Sequence, residues 1–531
     1  MDSKGGVVVL NSSTQLARSI VRQVIEGGVK DVVISPGSRN APLLIAFHEA
    51  SKKGLIELHV RIDERTGGFF ALGISKASKR PVALICTSGT AVANYHPAVL
   101  EAWHSQAPLL VLTADRPEKL RKTGANQTTI QKDIFGEATS LSVDISGAVC
   151  DLKEVFISLH KGPVHANIQF DEPLLPDDKE NWLEKINVSS FSPEKEKPKS
   201  LALTEQKGVL VIGHDRAGLE IESINNFIEV LGWPVVAEDP ISFPMSQSHA
   251  AIFLTSEKTR ELLRPEVVIV IGRTTLSRSV NALVKSAKKE IVIDPRIALI
   301  DIKRTADQVF TSLPTVDLQA KSSPEWIALW NFYSDRASNA LSSLPNWGEA
   351  NIAKAICAAL PDRSTLFISS SRPIRDIEGF AVPRNGIETF ANRGLAGIDG
   401  NISTALGIAS QKGSAIAVLG DLAFLHDVTG LIGAEGINAR IIVINNDGGG
   451  IFSTLPQSAV DGFEKVFGTP HGRDLVAIAK GFGLEATEVR NIGDLLSEVL
   501  KPIIGLSVVV ALVPSREMNA KALKDLYLNL A

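Results

Sequence analysis

Two segments of this chain end in oxygen-bearing side chains that could bind a hard cation. Asp421 follows the largely apolar segment 414–420, and Asn446 follows the segment 441–445, whose first four residues are apolar. Short, continuously apolar runs are typical of buried strands in a parallel sheet, and ligands bind at the carboxyl ends of such strands. A carboxylate, an amide oxygen and a glycine-flanked carbonyl at one sheet edge would suit Mg²⁺, which also keeps oxygens of a phosphate.

The same two segments have a structural alternative. A strand that ends in Gly-Asp before a helix often supplies only an N-cap, and Asn-Asp-Gly is an ordinary turn sequence. Residue types alone leave the metal site and these structural uses about equally favoured.

The first third of the chain carries residues suited to binding anions. Ser35-Pro-Gly-Ser38-Arg39-Asn40 follows an apolar run, and its backbone amides could form an anion-binding concavity beside Arg39. A Pro-Gly turn with a solvated arginine is the alternative. Arg116, Asn126 and Gln127 stand in glycine-punctuated loops, where they could bind a polar substrate or only structure the loop.

Four arginines, Arg39, Arg116, Arg375 and Arg393, lie in loops near predicted strand ends. Arginine is the preferred partner of carboxylates and phosphates, so four of them suggest substrates with several carboxylates. Glu64 opens a predicted helix, where an acidic residue normally only interacts favourably with the helix dipole.

The elements that must position these residues are strands alternating with amphipathic helices. Three groups of predicted strands recur: Asp31–Ser35, Pro81–Cys86, Pro108–Thr113 and Val164–Phe170; Gly208–Gly213, Pro234–Ala237, Val267–Gly272 and Ile291–Asp294; Thr365–Ser369, Ala415–Leu419, Ile441–Asn445 and Ser507–Val513. This alternation predicts an α/β protein with parallel sheets flanked by helices. We predict three domains, 1–185, 205–325 and 345–531, with linkers at 176–207 and about 320–345.

Length and composition limit the class of protein. The 531 residues exceed one ordinary core, and 44% hydrophobic with 21% charged residues indicates a soluble globular chain. A net charge of −4 without a basic run argues against nucleic-acid binding. The chain has 3 cysteines, no signal-peptide pattern at residues 1–6 and no apolar run long enough to span a membrane. We therefore expect a cytoplasmic protein.

Taken together, the motifs resemble those of the MenD family, the 2-succinyl-5-enolpyruvyl-6-hydroxy-3-cyclohexene-1-carboxylate synthases. The matching segments, in order, are Ser35-Pro-Gly-Ser-Arg-Asn, Asp63-Glu-Arg, Thr113-Ala-Asp-Arg-Pro, Gly124-Ala-Asn-Gln, Pro373-Ile-Arg-Asp, Asn392-Arg-Gly, Gly397-Ile-Asp-Gly, Gly420-Asp-Leu and Asn445-Asn-Asp-Gly-Gly-Gly-Ile-Phe. The resemblance implies pyrimidine-binding, central and diphosphate-binding domains, with thiamine diphosphate and either Mg²⁺ or Mn²⁺ as cofactors. It implies a transferase of menaquinone biosynthesis that decarboxylates 2-oxoglutarate and adds the succinyl-semialdehyde unit to isochorismate.

The resemblance also implies residue roles and an assembly. Glu64 is the catalytic residue at the aminopyrimidine ring, Ile398 supports the thiazolium, and Asp421, Asn446 and the Gly448 carbonyl hold the metal. The substrate site is implied to contain Ser38, Arg39, Arg116, Asn126, Gln127, Ser371, Arg375 and Arg393. Arg278 is the candidate from the central block, where the match is weakest. A homodimer or dimer of dimers is implied, with active sites between subunits.

Two other functions remain open at this stage. One is a different thiamine-diphosphate-dependent carboligase or 2-oxoacid decarboxylase, such as an acetolactate-synthase-like enzyme with smaller, less anionic acceptors. The other is a catalytically silent binding homologue, against which Glu64 and the pair Asp421 and Asn446 argue.

Overall fold

A computed structural model describes residues 11–176, 178, 181–188, 197–216, 218–296 and 306–531. The chain forms two compact units. Unit one contains the described parts of Met1–Glu194 with Ile402–Lys412 and Asp427–Glu435, and unit two contains the described parts of Lys195–Asn401, Gly413–His426 and Gly436–Ala531. Residues 1–6, on which the signal-peptide expectation rests, and most of the predicted linker run 192–198 lie outside the described residues.

Unit one is built on a six-stranded parallel sheet in the order β2-β1-β3-β4-β6-β5. Its strands are β1 Asp31–Ile34, β2 Glu57–Val60, β3 Val82–Cys86, β4 Leu109–Asp115, β5 Leu141–Ile145 and β6 Val164–Gln169. Its helices are α1 Ser12–Glu26, α2 Ala41–Lys52, α3 Glu64–Ser78, α4 Thr90–Asn94, α5 His96–Ser105 and α6 Lys153–Ser158. The central strands β1, β3 and β4 are buried along their whole length, as their largely apolar sequences predict.

The first sheet of unit two is five-stranded and parallel, in the order β12-β11-β10-β8-β9, with a separate parallel pair β13-β7. The strands are β7 Ser200–Leu203, β8 Gly208–Ile212, β9 Val235–Ala237, β10 Val267–Ile271, β11 Lys289–Ile293, β12 Gln308–Phe310 and β13 Thr315–Leu318. The helices are α7 Ile221–Leu231, α8 Ala250–Phe253, α9 Glu257–Leu262, α10 Arg278–Ser286 and α11 Pro324–Ala340.

The second large sheet of unit two is six-stranded and parallel, in the order β15-β14-β16-β17-β19-β18. Its strands are β14 Thr365–Ile368, β15 Glu388–Phe390, β16 Ala415–Gly420, β17 Ala439–Asn445, β18 Glu485–Val489 and β19 Leu506–Leu512. The helices of this region are α12 Glu349–Ala359, α13 Arg372–Phe380, α14 Asn401–Lys412, α15 Asp421–His426, α16 Leu475–Gly481, α17 Ile492–Leu500 and α18 Arg516–Leu530. Most of α14 belongs to unit one.

The predicted α/β class with parallel sheets is confirmed, and each predicted strand is present with ends shifted by at most about two residues. The strands that the sequence did not predict are β2, β5, β7, β12, β13, β15 and β18. The segment at about 320–345, predicted as a linker of mixed helix and loop, contains α11, which buries Trp326 and Trp330 in the core. In the part of the chain that the structure describes, no helix is long and apolar enough to cross a membrane.

Candidate active site

Glu64 lies where β2 leads into α3, at the carboxyl end of the first sheet. The preceding Asp63 caps α3, its carboxylate accepting from two backbone N–H groups of the first turn at 3.0 and 3.4 Å and from the Thr429 hydroxyl at 2.8 Å. Glu64 is half-buried. Among the described residues, no hydrogen bond to its carboxylate corresponds to those that Asp63 accepts. Burial first, and then the Glu64 charge, raise the pKa of the Cys86 thiol, which places Glu64 beside the end of β3.

The loops after β3 and β4 bring two predicted substrate residues together. Arg116 Nη1 donates to the Ser88 hydroxyl and to the Gln127 carbonyl, each at 2.6 Å. The Gln127 side-chain amide donates to the Ser88 carbonyl at 3.0 Å, so it structures the loop. Partial burial and then the nearby charge of Arg39 lower the pKa of Arg116. Two guanidinium groups that repel each other at one edge favour an anionic ligand there.

The turn that follows β1 carries the other predicted anion-binding residues of unit one. Arg39 donates to the Phe170 carbonyl at 3.0 Å. It also forms an ion pair with the Glu172 carboxylate at 3.5 Å. Ser38 is exposed in this turn, and Asn126 is exposed in the loop after β4. This turn packs closely against Thr87, the residue that follows β3. A Cβ added at Gly37 would lie 2.4 Å from the Cβ of Thr87.

A buried amide network that the sequence did not predict fixes these loops. The Gln131 side chain accepts from the Gly89 N–H at 2.9 Å and donates to Asn167 Oδ1 at 2.9 Å. Asn167 in turn donates to a carboxylate oxygen of Asp115 at 3.0 Å. A glutamine in a loop and an asparagine in a strand give no signal of this pairing, because it joins residues distant in sequence.

In unit two, Asp421 lies buried at the end of β16 as the first residue of α15. Its carboxylate accepts from the Gly448 N–H at 2.8 Å and from the Leu422 N–H at 2.7 Å. Gly448 has a φ of 133°, and a Cβ there would meet the Gly468 carbonyl oxygen at 2.1 Å, so only glycine fits. The loop after β17 therefore packs closely against the Gly468 backbone, and its Gly448 N–H binds the Asp421 carboxylate.

The Asn446 side chain completes this edge. Its amide nitrogen donates to Glu349 Oε1 at 2.6 Å, while its Oδ1 is buried and has no hydrogen-bond partner among the described residues. A buried oxygen without a partner is unfavourable unless a ligand satisfies it. Carboxylate, amide and carbonyl oxygens at Asp421, Asn446 and Gly448 are a donor set that fits Mg²⁺.

His471 is a neighbour of this edge that sequence reasoning missed. Its Nε2 lies 3.4 Å from Asp421 Oδ2 and its Nδ1 lies 3.6 Å from Asp447 Oδ1. The hydrogen bond to Asp421 raises the pKa of His471, against the effect of partial burial. The histidine therefore lies between two acidic side chains of this edge.

The remaining predicted arginines of unit two differ in their partners. Arg375 donates to the Ser371 carbonyl at 2.6 Å, and Ser371 adopts a φ of 74° directly before α13. Arg393 is buried and forms a two-point ion pair with Glu238 at 2.9 and 3.1 Å. Glu238 also accepts the N–H groups of His214 and Leu276, each at 3.0 Å. A protein carboxylate thus already occupies one side of the Arg393 guanidinium.

Ile398 and Arg278 lie in different settings. Ile398 is half-buried in a turn that Asn401 holds, its amide donating to the carbonyls of Gly397 and Asp399 at 3.2 Å each. Arg278 is exposed at the first residue of α10. Within the described residues, no hydrogen bond or ion pair joins it to the other predicted site residues.

Family models describe all three parts of the chain. Residues 14–135 match "Thiamine pyrophosphate enzyme, N-terminal TPP binding domain", residues 176–368 match "Middle domain of thiamine pyrophosphate", and residues 379–512 match "Thiamine pyrophosphate enzyme, C-terminal TPP binding domain". The predicted organisation into three α/β domains is therefore confirmed, while the predicted boundaries stay a prediction.

Several curated relatives are similar over almost their whole length, and each is named 2-succinyl-5-enolpyruvyl-6-hydroxy-3-cyclohexene-1-carboxylate synthase. The relative from Saccharopolyspora erythraea is 37% identical, covering 91% of this chain and 92% of its own. The relative from Thermobifida fusca is 38% identical over 92% and 93% of the two chains. The relative from Bacillus cytotoxicus is 34% identical over 96% and 95%.

Among solved structures, benzoylformate decarboxylase from Polynucleobacter necessarius has a similar fold. The TM-score is 0.66 at 15% identity, and the match covers 95% of this chain and 99% of that one. At this identity the likeness concerns the fold alone.

Proposed function

The chain belongs to the family of 2-succinyl-5-enolpyruvyl-6-hydroxy-3-cyclohexene-1-carboxylate synthases, and we propose that Glu64, Asp421 and Asn446 are its cofactor residues. It is a thiamine-diphosphate-dependent enzyme of menaquinone biosynthesis with that synthase activity.

Asp421, Asn446 and the Gly448 carbonyl hold Mg²⁺, with Mn²⁺ as the alternative ion. The observation that carries this assignment is the buried, unpartnered Oδ1 of Asn446 in the loop that also hydrogen-bonds to Asp421. Because Mg²⁺ keeps phosphate oxygens among its ligands, this edge would hold the diphosphate group of the cofactor.

Glu64 holds and moves a proton at the ring nitrogen of the cofactor's aminopyrimidine. When bound, thiamine diphosphate supplies the electron sink for decarboxylation of a 2-oxo acid and for carbon–carbon bond formation. Asp63 is committed to capping α3, so the adjacent Glu64 is the carboxylate of the pair that can serve a ligand. Ile398 supports the thiazolium ring from a turn that Asn401 braces.

The two substrates are 2-oxoglutarate and isochorismate, both of which carry two carboxylates. Arg39 and Arg116 supply neighbouring positive charges, and Arg375 is held by a carbonyl. Smaller polar groups follow strand ends in each unit, namely Ser38, Asn126 and Gln127 in unit one and Ser371 in unit two. Arg393 is paired with Glu238, so we propose that it contributes mainly to the stability of this region. A substrate-binding role for Arg278 stays a prediction.

The assembly and location are proposed from the family resemblance. A homodimer or dimer of dimers would place Glu64 of one subunit and Asp421 with Asn446 of another at a shared active site. A cytoplasmic location and the absence of nucleic-acid partners stay predictions.

The decisive experiment measures consumption of 2-oxoglutarate with and without isochorismate, in the presence of thiamine diphosphate and Mg²⁺. Consumption coupled to formation of the succinylated product supports the proposal. Turnover of other 2-oxo acids with no use of isochorismate would instead support a different carboligase or decarboxylase. Cofactor binding without any turnover would support a silent homologue.

A further inference from the structure

Glu349 is a buried carboxylate that neither the motifs nor the reaction assigned to the site. It is the first residue of α12 and only 4% exposed. Its Oε1 accepts from Asn446 Nδ2 at 2.6 Å, and its Oε2 accepts from Arg372 Nε at 3.2 Å. The carboxylate therefore bridges the loop after β17 and the start of α13.

The chemistry of this contact fixes the orientation of the Asn446 amide. An amide has a donating NH₂ end and an accepting oxygen end, and the two ends have nearly the same shape. A carboxylate only accepts, so Glu349 pairs with the NH₂ end and excludes the flipped amide. The oxygen end is then turned the other way, where Oδ1 is buried without a partner among the described residues.

Arg372 fixes Glu349 from its other side. The guanidinium also pairs with Asp376, one helical turn further along α13. Because Arg372 can only donate, it keeps an acceptor facing it, and an acidic side chain at position 349 satisfies both neighbours at once. Arg372 directly follows Ser371 and lies about one turn before Arg375 in α13. The ion pair between Arg372 and Glu349 therefore lies next to two proposed substrate residues.

We propose that Glu349 is a positioning residue that orients the Asn446 amide so that its oxygen faces the metal ion. The inference rests on the proposed metal site at Asp421, Asn446 and Gly448. Its specific content is that Glu349 acts through the direction of one amide, and not only through the stability of the fold.

Glu349→Gln tests the orientation. The introduced glutamine would turn its own oxygen towards Arg372 and its NH₂ group towards Asn446, so Asn446 would flip and offer NH₂ to the metal. We expect the Mg²⁺ concentration needed for thiamine diphosphate binding to rise at least tenfold in calorimetric titrations. Glu349→Asp, which keeps the charge but shortens the reach, should weaken Mg²⁺ binding in the same direction and serves if the glutamine variant does not fold.

The effect of Glu349→Gln should become much smaller when Asn446 is replaced by Asp. A carboxylate presents oxygen in either orientation, so residue 349 no longer decides which atom faces the metal. Adding Glu349→Gln to Asn446→Asp should therefore cost much less Mg²⁺ affinity than Glu349→Gln alone, whereas a purely structural role of Glu349 predicts the same loss in both backgrounds. An equal loss in both backgrounds, or unchanged affinity in Glu349→Gln, overturns the inference.

Asp376→Asn is the matched control, because Asp376 contacts Arg372 but not Asn446. It should keep wild-type Mg²⁺ affinity, and an equal loss there would assign the effect to Arg372. Asn446→Ala separates this inference from the proposed function. If that variant binds Mg²⁺ and cofactor normally, the metal site itself is wrong; if it fails while Glu349→Gln binds normally, only the role of Glu349 is wrong.

Discussion

The sheet of unit one and the second large sheet of unit two arrange their strands alike but present different chemistry. Counted along the chain, both place the second strand at one edge, then the first, third, fourth, sixth and fifth, all parallel. The first carries Glu64 and the arginines Arg39 and Arg116 at its strand ends, and the other carries Asp421 and Asn446. Topology therefore decides where functional loops stand, and the residues at the strand ends decide what they bind.

Corresponding helices show the same division of roles. α3 follows the second strand of its sheet and opens with Glu64, while α14 follows the second strand of the other sheet, directly after the turn with Ile398. Within unit one these helices approach closely, since a Cβ at Gly73 would lie 2.1 Å from the Thr404 carbonyl oxygen. The helix packing needs glycine, whereas we propose that the helix starts serve the ligand.

The arginines near these strand ends are of two kinds. Arg116 is held by a hydroxyl and a backbone carbonyl, so its charge is not neutralised by these contacts. Arg393 is held by the buried carboxylate of Glu238. We expect arginines of the first kind to act mainly on substrate and those of the second kind mainly on stability.

The largest expected effect comes from Glu64→Gln, which removes proton transfer but keeps size and hydrogen bonding. Deuterium exchange at C2 of bound thiamine diphosphate should slow at least a hundredfold, since general acid–base contributions are about 10²–10⁴. Cofactor affinity should change little. Proton exchange measured by NMR provides the test, and a wild-type exchange rate in this variant would rule out the catalytic role.

The same variant can test whether the site is shared between subunits. Glu64→Gln subunits mixed with Asp421→Ala subunits would form hybrid dimers in which one site lacks both substitutions. Partial recovery of activity is expected. If subunits that demonstrably exchange regain none, the shared site is wrong while the role of Glu64 stands.

Asp421→Ala should weaken cofactor binding, whereas Glu64→Gln should slow proton transfer on the bound cofactor. Loss of a charged metal ligand should weaken thiamine diphosphate binding at least a hundredfold, which corresponds to about 2.7 kcal/mol. Calorimetry with cofactor plus Mg²⁺ measures this, and circular dichroism verifies that the fold is retained. Unchanged affinity would mean that Asp421 only caps α15.

Arg393→Ala should act on stability more than on substrate. It leaves Glu238 buried without its charged partner, and breaking such a pair typically costs about 3–5 kcal/mol. Two backbone N–H groups also donate to the Glu238 carboxylate and would still stabilise it in the variant. We therefore expect a loss near the lower value. Chemical denaturation of the Arg393→Ala variant gives the free energy of unfolding. A stable variant with a raised KM would instead favour direct substrate contact.

The sequence predicted most of the strands whose ends carry the proposed site residues, because apolar runs identify central strands. It missed strands such as β2 and β18, which are short and partly polar, so their sequences lack an unbroken apolar run. The segment at about 320–345 was predicted to mix helix and loop, and in the structure Ser323 caps α11 while Pro324 occupies its first turn.

The contacts that set each side chain's role could not be predicted from one sequence. Glu238, Glu349 and His471 act on residues far away along the chain, at Arg393, Asn446 and Asp421. No local pattern marks such partners, since each depends on how the strand ends are assembled. Residue types therefore indicated the ligand chemistry, and only the structure separated the arginine with a buried acidic partner from the others.

The smallest expected effect is on substrate affinity, and it tests the two kinds of arginine directly. Arg116→Ala and Arg375→Ala each remove a cation that contacts only hydroxyl or carbonyl oxygens among the bonds described above. A hydrogen bond to a charged group contributes about 1.5–3 kcal/mol, so the KM for 2-oxoglutarate or isochorismate should rise at least tenfold. Cofactor affinity and the free energy of unfolding should change less than in Arg393→Ala. Comparing which substrate responds to each variant would show which strand end binds it, and wild-type KM values in both variants would contradict the assignment of these arginines to substrate.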